Sequence, residues 1–71
     1  MEELKLHDVV ALTKPIPEHN LRRGDIGVVI DMGPNGQCLL EFADRNGIPY
    51  AMPTVSSEGF MKVYLHADMV E

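Results

Sequence analysis

The sequence predicts an all-β domain, a small barrel of five short antiparallel strands. Three observations lead there. The string Leu21-Arg22-Arg23-Gly24-Asp25-Ile26-Gly27-Val28-Val29-Ile30 sets a polar turn with a glycine at its apex directly before a β-branched run, and β-branched residues favour a pleated, half-buried strand. Two Asn-Gly pairs, Asn35-Gly36 and Asn46-Gly47, each separate two apolar runs, the strongest short-range hairpin signal. Five prolines and six glycines cut the rest of the chain into short pieces, the spacing of an all-β domain.

The first strand is expected over His7–Thr13, with Val9 and Ala11 on one face and Val10 and Leu12 on the other. Both faces are partly apolar, so this strand should be largely covered. A long connection comes next, Lys14 to Asp25, about twelve residues in a domain that small, and long ordered loops tend to be functional. Pro15 and Pro17 rule out a helix through its start, and Ile16 and Leu21 should fold back onto the barrel and pin it. Gly24 supplies the positive φ the turn needs.

The second strand spans Ile26–Met32, the turn Gly33–Gly36, and the third strand Gln37–Ala43. The third alternates cleanly, with Cys38, Leu40 and Phe42 on one face and Gln37, Leu39 and Glu41 on the other. Asp44–Gly47 closes the next hairpin. The fourth strand, Ile48–Val55, carries Pro49 and Pro53, four residues apart and so on one side. A proline donates no ladder hydrogen bond, which places this strand at an edge or bends it. Ser56–Gly59 suits one turn of 3-10 helix. Phe60–Leu65 then alternates as a fifth strand, with Met61, Val63 and Leu65 inward and Lys62 and Tyr64 outward. A short helix over Gly59–Met69 is the competing pattern, with Phe60, Val63, Tyr64 and Ala67 on one stripe. The last residues, His66 to Glu71, dock or fray.

Seventy-one residues make one domain, residues 1–71. A chain that short buries only about 60% of the surface its unfolded form exposes, so its stability is modest. The single cysteine, Cys38, excludes an internal disulfide and fits a reducing compartment. The start, Met1-Glu2-Glu3-Leu4-Lys5, lacks the apolar core of a signal peptide, and no apolar run approaches the roughly 20 residues that cross a bilayer. A soluble, cytoplasmic protein with no membrane partner is expected. The net charge of −5, from 11 acids against 6 bases, repels phosphate and disfavours general nucleic-acid binding without excluding it.

The strand order, with a long first loop, two tight hairpins and a 3-10 turn before the last strand, resembles the SH3-like barrel. Leu21 to Val29 resembles the KOW-type motif of ribosomal proteins and transcription elongation factors, a glycine turn followed by Gly and β-branched residues. Over most of the chain, Asp8-Val9-Val10-Ala11-Leu12, Leu21 to Gly27 and Glu41-Phe42-Ala43-Asp44-Arg45-Asn46-Gly47 are similar to a small bacterial family whose function is unknown. That resemblance implies an SH3-like barrel and no established activity. The chain departs from a working KOW RNA binder in being acidic, with Lys5, Lys14, Arg45 and Lys62 scattered singly around the Arg22-Arg23 pair.

No catalytic or metal motif stands out, and neither a cofactor nor a metal is expected. His7, His19 and His66 have no metal-ligand spacing and no second cysteine to join them. Cys38 reads as a buried strand residue, since a reactive thiol needs a base and an electropositive pocket. The candidate binding residues are Arg22, Arg23, Asp25, Arg45, Tyr50 and Tyr64. Paired guanidinium groups can grip carboxylates or phosphates bidentately; equally, they can be a solvated turn with one arginine pairing Asp25 or Glu18. Tyr50, Tyr64 and Phe60 either form an exposed platform for an extended peptide, enlarged by Pro49, Pro53, Met52 and Met61, or give Phe60 and at least one tyrosine to the core. A barrel this small has no room for a pocket of roughly 300–1,000 Å³ unless it oligomerises. The expectation is therefore a non-enzymatic module that docks a protein partner between the long loop, Pro15–Gly24, and the hairpin at Asp44–Gly47, as an accessory subunit or as an inhibitor that neutralises a basic partner such as a nuclease-like toxin. The alternative is a KOW-like nucleic-acid-associated module using Arg22, Arg23, Lys14 and Arg45. The protein is a monomer, or a homodimer joined through an edge strand that carries Met and Tyr.

Overall fold

The computed structural model describes residues 4–64. They form an antiparallel sheet of six strands with short 3-10 turns: β1 Val9–Leu12, β2 Ile26–Met32, β3 Gln37–Ala43, β4 Pro49–Ala51, β5 Thr54–Ser56 and β6 Phe60–Lys62. The order across the sheet is β4-β3-β2-β1-β6, with β5 also paired to β3. β2 falls where the β-branched run puts it, β3 where the alternation does, and β1 is the inner part of its expected span.

The two Asn-Gly signals close their hairpins differently. Asn35 and Gly36 both take positive φ, 61° and 74°. At the second, only Gly47 does, and the Asp44 side chain builds the turn by accepting the N–H groups of Asn46 at 2.8 Å and Ile48 at 3.0 Å.

The expected fourth strand is two strands. β4 pairs with the end of β3 (Phe42↔Ala51) and β5 with its start (Cys38↔Val55). The chain leaves the ladder at Met52-Pro53, where proline lacks a donor, although the Pro53 carbonyl still accepts the Leu40 N–H at 2.9 Å. The break resets the side-chain phase, so Pro49 is exposed and Pro53 buried rather than sharing a side. The turn at Ser57–Gly59 is 3-10, as its residues suggest.

β6 is a strand where the competing helix would begin. The rest of either pattern beyond residue 64, the His66–Glu71 tail included, lies outside the described residues. The phase of β6 is opposite to the expected one. Phe60 pairs with Leu12 and Met61 with Ala11, so Phe60 faces the core at 7% exposure and Met61 faces out at 58%. The larger apolar ring takes the interior because register with the core-facing Leu12 fixes the alternation.

The core is Val10, Leu12, Leu21, Val29, Cys38, Leu40, Phe42, Ala51 and Phe60, with Leu4, Ile16 and Val55 packed against it. Leu21 is the loop's contribution. The long connection doubles back through a 3-10 turn at Pro17–His19, and Ile16 and Leu21 exchange both backbone hydrogen bonds, at 2.9 and 3.1 Å. Asn20 takes the left-handed conformation there, φ 58°. Leu21 is thereby delivered to the core at 1% exposure, pinning the loop as its two apolar residues suggest. At the end of β1, Thr13 binds the turn before β6 twice, N–H to the Gly59 carbonyl and hydroxyl to the Glu58 carbonyl, both 2.9 Å.

Candidate functional site

The register sets the loop and the hairpin side by side. Ala11 pairs with Ile26, and Val28 with Glu41, so the end of β1, the start of β2 and the end of β3 share one end of the sheet. The β1–β2 loop and the β3–β4 hairpin both leave from there. Arg22, Arg23 and Arg45 are exposed at that end, and among the described residues no ion pair holds any of them. Asp25 is not their counter-ion in this arrangement. Its carboxylate accepts the Arg22 backbone N–H at 2.8 Å while its own N–H donates to the Arg22 carbonyl at 3.0 Å. This reciprocal turn holds Gly24 at φ 94° and presents the two arginine side chains outward.

The tyrosines are both exposed, Tyr50 at 55% and Tyr64 at 50%. The sheet keeps them apart. Tyr50 lies in β4 at one edge and near the hairpin end; Tyr64 comes after β6 at the other edge and beside the start of β1, since the Val63 N–H donates to the Val9 carbonyl at 2.8 Å. With Phe60 buried, the three aromatics make no shared platform. Tyr64 instead lies under Lys62, whose ammonium is 5.0 Å from the ring centroid and 3.4 Å from Asp8. Asp8 is held below the usual carboxylate range first by the Lys5 backbone N–H it accepts at 2.8 Å, and further by Lys62.

The outer face of the sheet carries a feature that the loop and hairpin do not. Positions that alternate with the core-facing residues are Val9 and Ala11 on β1, Ile26, Val28 and Ile30 on β2, and Leu39, Glu41 and Ala43 on β3. An antiparallel sheet with one wet face normally turns polar residues to the water; here Glu41 lies on that face, Gln37 precedes Leu39 on it, and past the bulge in β2 Asp31 pairs with Leu39, so the apolar part is the stretch around Val28. Ile26 is 54% exposed, and Val9 and Ala11 are half-buried rather than covered. Along this face runs an open depression of about 520 Å³ bordered by His7, Ile26, Val28, Ile30, Glu41 and Ala43. It reaches the size that a domain this small was expected to lack, but it is a shallow trough over three strands, with one imidazole and one carboxylate. The signal was present in the sequence: β2 is an unbroken apolar run with no polar alternation until Asp31.

Chemically the rest is quiet. Burial raises the pKa of the Cys38 thiol, so it stays protonated and is a packing residue. Among the described residues no three His, Cys, Asp or Glu side chains converge, and His66 lies outside them. No helix among the described residues is long and apolar enough to cross a membrane.

No curated protein and no solved structure matches the chain. A family profile does, the domain of unknown function DUF4926, over residues 6–62. That span runs from just before β1 to the end of β6 and takes in the pinned loop, both hairpins and the outer face, and so the chain belongs to the DUF4926 family.

Proposed function

We propose that this protein is a non-enzymatic, cytoplasmic protein-binding module, an accessory subunit or an inhibitor, and that its partner docks at the sheet end formed by the β1–β2 loop and the β3–β4 hairpin. The observation that carries the reading is the convergence there of Arg22, Arg23 and Arg45, all exposed and without ion pairs among the described residues, on turns made rigid by Asp25 and Asp44. With the backbone of both turns already fixed, only the arginine side chains remain to be ordered when their guanidinium groups bind a carboxylate partner. The partner's matching surface is therefore acidic at this end.

The order of elements supports an SH3-like barrel as the finer description of the fold: a long loop between β1 and β2, a meander, a 3-10 turn, and a last strand returning to β1. In that description the arginine end is where a partner meets the long loop.

Affinity capture from the native host tests the proposal, comparing wild type with the triple variant Arg22→Glu/Arg23→Glu/Arg45→Glu. The reading expects a protein retained by wild type and lost by the variant. A partner held equally by both removes it. The same arginines with Lys14 favour a second reading, a KOW-like nucleic-acid-associated module. It predicts a salt-dependent mobility shift of labelled RNA, which the triple variant abolishes.

A further inference from the structure

We propose that Asn46-Gly47, at the tip of the β3–β4 hairpin, is a site of spontaneous deamidation, and that the fold protects the other Asn-Gly pair, Asn35-Gly36. The proposal does not depend on what docks at the arginine end. The chemistry needs only water. The glycine backbone nitrogen attacks the asparagine Cγ and gives up its proton. A C–N bond forms, the bond from Cγ to the side-chain nitrogen breaks, and ammonia leaves. Water then opens the succinimide ring at either carbonyl, giving aspartate or the β-linked isoaspartate. Glycine favours the step because no Cβ hinders its nitrogen.

The two pairs share the same dipeptide and are both exposed, so their surroundings separate them. At Gly36 the Ser57 Oγ stands 3.1 Å from the place a Cβ would take, and the Ser57 Cβ 3.5 Å. At Gly47, among the described residues, nothing lies within 4 Å of that place. Asn35 sits at φ 61° and ψ 32°, which turns the Gly36 nitrogen almost opposite to the Asn35 Cβ about the Cα–C bond. Ring closure needs them on the same side, so this turn must first leave its left-handed conformation. Both flanks resist. The hairpin joins two seven-residue strands, and Cys38, two residues after Gly36, is paired with Met32 on one side and Val55 on the other.

The Asn46 turn has a weaker flank. β4 is a three-residue strand at one end of the sheet order. It meets β3 at Ala51 and Pro49 across a shifted register, and proline donates no ladder bond. Local opening costs least at such an edge. The restraint that remains is within the turn. The Gly47 N–H donates to the Asp44 carbonyl at 2.9 Å, and the Asp44 carboxylate accepts the Asn46 and Ile48 N–H groups. Conversion sets a new carboxylate beside Arg45 and so reduces the positive charge of the end that carries Arg22, Arg23 and Arg45.

Incubation of the full chain at mildly alkaline pH, followed by peptide mapping with mass spectrometry, tests this. In guanidinium chloride, with the chain unfolded, the two sites should convert at rates within about threefold of each other, since each is the same dipeptide without a fold around it. In the folded protein Asn46 should convert at least about tenfold faster than Asn35. Asp44→Ala removes the acceptor of two turn N–H groups and should speed conversion at Asn46 about fivefold, with the far-ultraviolet spectrum confirming the fold. Equal folded-state rates, or a faster Asn35, overturn the proposal. So does a folded protein in which neither site converts while both convert in denaturant. An Asn46 rate unchanged by Asp44→Ala overturns the restraint assigned to that turn.

Discussion

Gly27→Ala is the most revealing single change in the core. Gly27 lies in β2 opposite Val10, and its bare Cα lets the Phe42 ring come close. A Cβ at position 27 would stand 2.8 Å from Phe42 Cε2, 2.9 Å from Cζ and 3.1 Å from Cδ2. Optimal carbon–carbon separation is about 3.5–4.0 Å, so three ring atoms are overlapped at once. Phe42 is wholly buried and has no solvent to swing into; relief requires moving β3 or its neighbours. Overpacking of this kind costs about 1–3 kcal/mol. The unfolded chain gives back about 0.4–1 kcal/mol, because alanine is less free than glycine. The net loss is about 1–2 kcal/mol, and at 4–8 °C per kcal/mol for a domain of this size the melting temperature falls by about 4–16 °C. Thermal unfolding by circular dichroism measures it. Phe42→Leu provides the control: in that background the new methyl has room, and the Gly27→Ala cost should shrink toward zero. A Gly27→Ala protein as stable as wild type, or two costs that simply add, would show that the close approach is not what keeps glycine here.

The same contacts set three further expectations. Leu21→Ala should cost about 2–4 kcal/mol in urea unfolding, since it empties a fully buried site, and should release the Ile16–Leu21 bridge, raising amide exchange over residues 16–21. Asp44→Ala removes the acceptor for two N–H groups and should cost about 1 kcal/mol, most of it recovered by Asp44→Asn. Asp8 titrates below its ordinary value in the folded protein because of the Lys5 N–H and Lys62. Its stabilisation is thus complete above the unfolded pKa of about 3.9 and is lost as pH falls through the folded value. Carboxyl chemical shifts should place the folded titration below that value, and Asp8→Asn should flatten the acid limb of the urea midpoint.

How far the chain alone specified this arrangement differs from element to element. β2, β3 and their hairpin were legible because a β-branched run, the strict alternation of β3 and an Asn-Gly turn are local properties, set by φ preference and by the pleat. The buried place of Cys38 and the pinning role of Leu21 came from apolar residues in a polar context. Arg22, Arg23 and Arg45 were readable as exposed turn residues for the same reason. Local pattern failed where a partner strand decides the phase. Phe60 and Met61 exchanged faces because pairing with Leu12 fixes which of them looks inward, and no property of the segment itself records that pairing. The division of the fourth strand depended on β3 being long enough to accept two short partners. The outer face is the fullest case. Val9, Ala11, Ile26, Val28 and Ala43 are scattered in sequence, and only antiparallel register assembles them into one surface. The order of residues determined by itself which side chains seek an apolar environment. Tertiary structure decided which of them found one, because a sheet has two sides and this one has a core on only one of them.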